Sequence, residues 1–430
     1  MEVVFIDPEP PDASGGGIRT YIRLAMGICR DAGHAARVYS HNPGAYAGET
    51  AFPIGRRPWL RRPFRGPAYK LAYQENVSWE HARWLDAELA AGDRADRVYE
   101  FCDFMGYAFF ALRNRRLKER IVLRVHTPAY LAMAGGARTR MLARWAAKAG
   151  AWRERDCLRR ARNITVPSAE FIREKLPWLA GWEHVPNPPP PDMSGADTGA
   201  APLAGPVAAG QVPPGLPQDD QSGWAPAPPD AAELAERNAP RPARFAPERF
   251  LYLGRVEERK GVLVLLRAFL RLAEERPYAT LTLVGGASPG PYAASVRRLI
   301  ESLPPALRPR VAWEPPCSAS QRPALFKRFT ALLAPSLWEN SPYAYFEGMA
   351  AGLHCIGSAT GEMKAVAAIT GALSPRPGDE EDWLNALRAH CAGAGREALA
   401  AQQAYLRERR AKAPGMLIAS WEKALGGGAP

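Results

Sequence analysis

Short apolar runs alternate with amphipathic stretches along most of this chain. In the first half the runs fall at 3–6, 36–39, 97–101, 121–125 and 163–166. In the second half they fall at 250–253, 281–284, 311–313, 331–334 and 354–357. A short continuous apolar run reads as a strand covered on both faces, and the amphipathic stretches between the runs supply the helices that cover it. The pattern predicts an α/β protein built of two doubly wound parallel sheets, each Rossmann-like. In that architecture ligands bind beyond the carboxyl ends of strands, so a cleft between two such domains is the expected site. A last helix around 415–425 is expected to cross back to the first domain.

One segment breaks the rhythm. Residues 186–247 hold 16 of the 42 prolines, with Ala, Gly, Asp and Gln filling much of the remainder. Such a segment buries too little apolar surface to offset its ordering entropy. It reads as a linker, extended near Pro188–Pro191 and disordered in its middle, with Trp224 isolated and a short helix at 230–238. The expected organisation is an N-terminal Rossmann-like domain over 1–187, a Pro/Ala/Gly-rich linker over 188–247, a C-terminal Rossmann-like domain over 248–412, and a terminal helix and tail over 413–430.

Composition narrows the class. Of 430 residues, 47% are hydrophobic and 23% charged, which excludes wholesale disorder. No run reaches the roughly 18 apolar residues of a membrane span. Met1–Asp7 is too short and too acidic for a secretory leader and reads as a first buried strand. The six cysteines lie far apart with no CxxC pair, which argues against a disulfide framework or a zinc site and fits a reducing cytoplasm. The net charge of +12 points to an anionic partner. Residues 138–162 carry nine Lys or Arg against two acids, with Met141, Leu142, Trp145 and Trp152 among them, and residues 56–65 interleave Arg with Trp59 and Phe64. Such surfaces suit anionic lipid headgroups. Nucleic acid is disfavoured because no binding motif accompanies the charge.

The chemistry concentrates after the fourth strand of the second half. That strand ends at Pro335-Ser336, a loop carries Glu339, and a helix is expected to begin near Ser341-Pro342 with Glu347 on it, eight residues after Glu339. Free amides at Ser341 and Tyr343, on either side of Pro342, which itself has no N–H to offer, and the helix dipole make an anion site at a strand end. The two carboxylates can accept hydrogen bonds from sugar and ribose hydroxyls. Arg255, at the end of the first strand of this half, and Lys260, opening the next helix, can neutralise a diphosphate. The Gly285-Gly286 pair ends the following strand and lets a ligand approach the backbone closely.

Gly254-Arg255 with Lys260-Gly261, then Pro335-Ser336, then Glu339 and Glu347 in an E-x7-E frame resemble the donor site of glycosyltransferase family 4, with its glycogen-synthase-like donor domain. The resemblance is strong over 250–370. It is looser over 1–187, through Gly15–Gly17, Glu100-Phe101 and Val125-His126. It implies the GT-B fold, a retaining mechanism and a nucleotide-diphosphate sugar as donor, with no cofactor. Residue by residue, it implies that Arg255 and Lys260 bind the diphosphate, Glu347 the ribose and Glu339 the donor sugar. It implies further that amides at Ser341–Tyr343 meet sugar or phosphate oxygens. Gly16 and Gly17 would lie near the phosphates and His126 would approach the sugar ring.

Three positions depart from the family pattern: Pro342 stands where Gly is commonest, His354 where Pro is frequent, and Gly361-Glu362 replaces a Gly-Gly pair. No strand-end acidic pair of the metal-binding kind is present. Asp219-Asp220 lies in the linker, and 379–382 reads as a solvated loop or helix start, so no metal is expected. The expected activity is transfer of a sugar to a glycan or lipid-linked acceptor in cell-surface polysaccharide synthesis. The expected location is the cytoplasm, with peripheral contact at the inner face of the cell membrane. The alternatives are a non-catalytic sugar-nucleotide or glycan-binding protein of this fold, and a GT-B-like epimerase.

Overall fold

The computed structural model describes residues 1–7, 17–40, 43–46, 48–53, 73–132, 141–193, 248–288 and 290–426. The linker core, where a helix at 230–238 is expected and where Trp224 falls, the basic 56–65 segment, and Gly15 and Gly16 lie outside the described residues. The chain divides into two compact units. The first comprises Met1–Pro189, Asn340–Tyr343 and Arg407–Pro430, and the second Pro190–Glu339 and Ala344–Leu406.

The first unit is built on strands β1 (Glu2–Asp7), β2 (Ala35–Ser40), β3 (Ala51–Pro53), β4 (Arg97–Cys102), β5 (Ile121–Arg124), β6 (Asn163–Val166) and β7 (Trp182–His184). They form one sheet in the order β3-β2-β1-β4-β5-β6-β7, and every pairing is parallel. Its helices include α1 (Gly17–Asp31), α2 (Tyr73–Ala91), α3 (Met141–Arg160) and α4 (Ala169–Lys175), the last capped by Ser168, whose hydroxyl accepts from the Phe171 amide. Val3, Phe5, Val38, Val98 and Val122 share one core with Tyr21, Ile22, Ala25 and Met26 of α1. The five apolar runs of this half are all strands. The two edge strands, β3 and β7, are three residues each and have no apolar run to announce them.

The second unit repeats the plan with β8 (Arg249–Leu253), β9 (Thr280–Val284), β10 (Val311–Glu314), β11 (Ala331–Ala334) and β12 (His354–Gly357), in the parallel order β10-β9-β8-β11-β12. Its helices include α5 (Val262–Glu275), α6 (Pro291–Glu301), α7 (Arg322–Phe326), α8 (Tyr343–Ala350), α9 (Gly361–Thr370) and α10 (Glu380–Ala389). Alternation along the strands fills two cores. Phe250, Tyr252, Leu281, Leu283 and Leu333 join α5 and α10 on one face. Leu251, Val284, Leu332 and Cys355 join α8 and α9 on the other. Both sheets are therefore doubly wound, and each reverses strand order beside its first strand, which is where such sheets bind ligands.

The final helix, α11 (Gly395–Gly426), is much longer than the 415–425 stretch suggests, and it contains Pro414. Its residues from Arg407 onward cluster with the first unit, where Leu417, Trp421 and Ala424 enter the core. The head of the proline-rich segment is packed: Pro190 is buried and the Met193 amide donates to the Ala350 carbonyl at 2.9 Å.

Candidate functional site

In the second unit strand order reverses between β8 and β11, and the loops after these two strands touch. Gly261 sits at φ 66°, and a Cβ there would lie 2.0 Å from the Pro335 carbonyl oxygen. The Leu337 amide donates to the Arg259 carbonyl at 2.8 Å. Between β8 and α5 a single 3-10 turn, Glu258–Lys260, folds Arg259 and Lys260 back onto Glu339. Arg259 Nη1 donates to Glu339 Oε1 at 2.6 Å, and Lys260 Nζ donates to the same oxygen. The other arm of the Arg259 fork donates to Glu257 at 2.9 Å, and its guanidinium lies 4.8 Å from the Trp338 ring centre. Burial pushes the Glu339 carboxyl up, but Arg259 and Lys260 outweigh it and hold the group at about 2. Burial lowers the Lys260 ammonium, and Glu339 only partly opposes it.

This geometry brings a further arginine to Glu339. Arg255 has a side chain 69% exposed and reaches Glu257 at 3.5 Å, not Glu339. Arg259, which the sequence pattern does not single out, lies beside Lys260 against Glu339, because the 3-10 turn reverses direction after the strand and turns it inward. The one sequence signal for it is its position directly before Lys260. Gly285 also acquires an internal reason. A Cβ there would lie 1.9 Å from the Gly254 carbonyl oxygen, so the β8 and β9 loops require this glycine with or without a ligand.

Glu347 lies on α8 and is buried. Arg322 Nη1 donates to its Oε1, while Oε2 has no partner among the described residues. Burial raises the Glu347 carboxyl, and Arg322 opposes the rise. The helix itself starts at Tyr343, not at Ser341-Pro342. The Ser341 hydroxyl does not cap it in the expected way, because it accepts from Asn187 Nδ2 at 3.0 Å. Tyr343 lies 3.7 Å from a Cβ built on Gly17, the first residue of α1. The 379–382 run is a helix start: Asp379 accepts from the Asp382 amide and caps α10.

In the first unit His126 follows β5, the strand next to the β1/β4 reversal. Its amide donates to Asp103 Oδ1 at 2.8 Å, and its ring meets Tyr21 edge-on at 4.9 Å. Burial, with Arg124 nearby, drives the imidazole well below its ordinary range, so it is neutral. Two buried acids escaped the pattern reading. Asp103 also accepts from the Thr127 amide, and burial with Glu154 nearby pushes its carboxyl up to about 8. Glu154 of α3 accepts from the amides of Met105, Ala129 and Tyr130 at 2.6, 2.8 and 2.9 Å, and burial pushes it up to about 7 against those bonds. Asp103 follows Cys102 at a strand end, which is a readable signal. Glu154 is masked by the arginines around it in sequence.

Residues 247–392 match the family model described as glycosyl transferases group 1. No curated protein matches the chain. Among solved structures it is similar to sucrose-phosphate synthase from Thermosynechococcus elongatus, at 17% identity and TM-score 0.65, over 97% of this chain and 96% of that one. It is similar to the trehalose-phosphate synthase of Burkholderia xenovorans, solved with glucose-6-phosphate, at 13% identity and TM-score 0.63, over 99% of each chain. It is also similar to HepE of Anabaena, solved with UDP-glucose, at 14% identity and TM-score 0.61, over 98% of this chain and 99% of that one. The two Rossmann-like units have the GT-B fold, and residues 247–392 are similar to the glycosyl transferases of group 1.

Proposed function

We propose that the protein is a retaining, metal-independent glycosyltransferase. It moves a sugar from a nucleotide-diphosphate sugar to a glycan or lipid-linked acceptor in cell-surface polysaccharide synthesis. The observation that carries this reading is the cluster of Lys260, Arg259 and Glu339 where strand order reverses in the second unit. Breaking a sugar–phosphate bond builds negative charge on the departing diphosphate, and preorganised buried cations stabilise that charge without reorganising. Without donor, Glu339 pairs with both cations and Glu257 shares Arg259. An arriving diphosphate takes over that role and frees the carboxylate to accept from a donor-sugar hydroxyl. Glu347 offers its unpartnered Oε2 to the ribose. Neutral His126 can exchange hydrogen bonds with the sugar in either direction. The HepE structures, with UDP or UDP-glucose bound, support a nucleotide sugar as donor.

A thermal-shift series with UDP, GDP, ADP and CMP tests the reading. At 100 times its dissociation constant a ligand stabilises by about 2.7 kcal/mol, a shift of a few degrees. One nucleotide is expected to shift the wild type and to leave Lys260→Ala unmoved. No shift with any of the four, or an equal shift in the variant, removes the donor site from this cluster.

The acceptor side of the proposal includes a peripheral position at an anionic membrane. Among the described residues no helix is long and apolar enough to cross one. On α3, Trp152 is 57% exposed amid the exposed cations Lys148, Arg155 and Arg159, and the Arg159 guanidinium lies 5.4 Å from the centre of the exposed Trp178 ring. Cations around exposed indoles suit an interface of headgroups and acyl chains. Co-sedimentation with vesicles containing phosphatidylglycerol at low salt is expected, with release at high salt. Failure to bind at low salt removes the membrane from the reading.

A further inference from the structure

The environment of Glu347 contains a residue that neither the E-x7-E frame nor the cluster at Glu339 accounts for. Arg322 is the first residue of α7, and its guanidinium reaches across to Glu347 on α8. Its side chain is 26% exposed, against 7% for that of Glu347, so the arginine is the more accessible member of the pair. The pair is incompletely satisfied in a particular way. Glu347 Oε1 takes Arg322 Nη1, Glu347 Oε2 has no partner among the described residues, and neither does Arg322 Nε. A buried acceptor and a buried donor are both left over. Such groups are costly unless something supplies their hydrogen bonds.

We propose that Arg322 is the positioning residue of the ribose site. It fixes Glu347 through Oε1 and leaves Oε2 to accept a hydrogen bond from a ribose hydroxyl, which can in turn accept from Arg322 Nε. This rests on the donor-site reading above and deepens it. A hydroxyl is the one common ligand group that donates and accepts at a single atom, which is what the leftover pair requires.

The charged and titratable groups facing Glu347 among the described residues are few. Arg322 faces it from α7, and Cys317, in the loop after β10, faces it while hydrogen-bonding Arg322. Burial raises the Cys317 thiol, so it stays neutral and supplies no counter-charge. From β12, Cys355 lies against Gly348, and burial keeps it neutral as well. Arg322 is therefore the single cation opposing the burial that raises the Glu347 carboxyl. Without it the carboxyl rises further and takes up its proton at a higher pH than in wild type, which weakens it as an acceptor.

The test compares UDP with its 2′,3′-dideoxy analogue by calorimetry at pH 6 and pH 8.5. The variants are Arg322→Gln, Arg322→Lys and Glu347→Gln. The ratio of the two dissociation constants isolates the ribose hydroxyls and cancels phosphate titration and general instability. Wild type is expected to prefer UDP by about tenfold at both pH values, the loss expected for charged hydrogen bonds to two hydroxyls. Glu347→Gln is expected to lose the preference throughout. Arg322→Gln is expected to lose it at pH 6 and recover it in part at pH 8.5. Arg322→Lys keeps the charge and is expected to show no pH dependence. A wild-type preference in Arg322→Gln at pH 6, with Glu347→Gln impaired, overturns the role of Arg322. So does a pH-dependent preference in Arg322→Lys, the variant that decides if Arg322→Gln does not fold. A preference undiminished in Glu347→Gln, or no binding of any of the four nucleotides by wild type, overturns the ribose reading itself and the proposal with it; where wild type takes GDP, ADP or CMP in place of UDP, the same comparison is made with that nucleotide and its dideoxy analogue.

Discussion

Glu339 answers two cations with one oxygen, and this makes it the most informative single residue. Replacing it with Gln leaves the part-buried Lys260 without its counter-charge and Arg259 with Glu257 alone, at a cost of about 1–3 kcal/mol. A nucleoside diphosphate supplies the missing charge. Glu339→Gln is therefore expected to melt well below wild type when unliganded, and to gain more from the bound nucleotide than wild type does. The pH dependence follows the same pair. The folded carboxyl sits at about 2, below its ordinary range, so its stabilisation is complete at neutral pH. It is lost as the pH falls from the ordinary carboxylate range towards 2. The variant, which cannot titrate there, should show a shallower acid loss. Melting curves from pH 7 to pH 3 with and without nucleotide check both statements; an equal nucleotide gain in the two proteins would contradict the exchange of partners. Lys260, Glu339 and Glu347 were legible because they flank recognisable strand ends. Arg259 was not, because a three-residue turn decides which of two nearby arginines faces inward, and apolar patterning does not resolve a turn that short.

At the scale of elements, the sequence reveals what apolar continuity marks and hides what polar groups hold. Ten apolar runs became ten strands, whereas β3 and β7 pair at the sheet edges through three residues each. The join between α3 and the loops after β4 and β5 was equally hidden. It rests on Glu154, whose carboxylate gathers three amides, one of them from Met105 at φ 59°, a left-handed conformation rare outside glycine. The folded Glu154 carboxyl, at about 7, binds its proton more tightly than the unfolded chain does. Its contribution is thus complete below the ordinary carboxylate range and falls as the pH rises to about 7. Gln preserves the shape, loses one of the acceptors and cannot ionise. Glu154→Gln should be less stable than wild type by about 1–3 kcal/mol near pH 5, with the gap narrowing towards pH 8. Denaturant titrations at the two pH values measure the gap; one that stays constant or widens would mean that Glu154 titrates in its ordinary range.

At the scale of the whole molecule, the last helix contributes to both units. Residues up to Leu406 cluster with the second, while Leu417, Trp421 and Ala424 lie in the core of the first. Trp421 makes two separable contributions there. Its ring meets Phe5 edge-on at 5.8 Å, and its Nε1 donates to the buried Glu100 carboxylate at 2.6 Å. Trp421→Phe keeps much of the first and deletes the second, leaving Glu100 short of a donor, for a loss of about 1–3 kcal/mol. Trp421→Ala deletes both and opens a cavity, for about 3–5 kcal/mol. Neither change touches a residue of the second unit, which holds Lys260, Glu339 and Glu347. A chain with two units need not melt in one step. Calorimetry should therefore resolve a transition that falls in the order wild type, Trp421→Phe, Trp421→Ala, and a second that these substitutions leave in place. The second is the transition that nucleotide should raise, in all three proteins alike. If both transitions move together with each substitution, the units unfold as one cooperative body. In that case the α11 packing on the first unit stabilises the donor-binding unit as well.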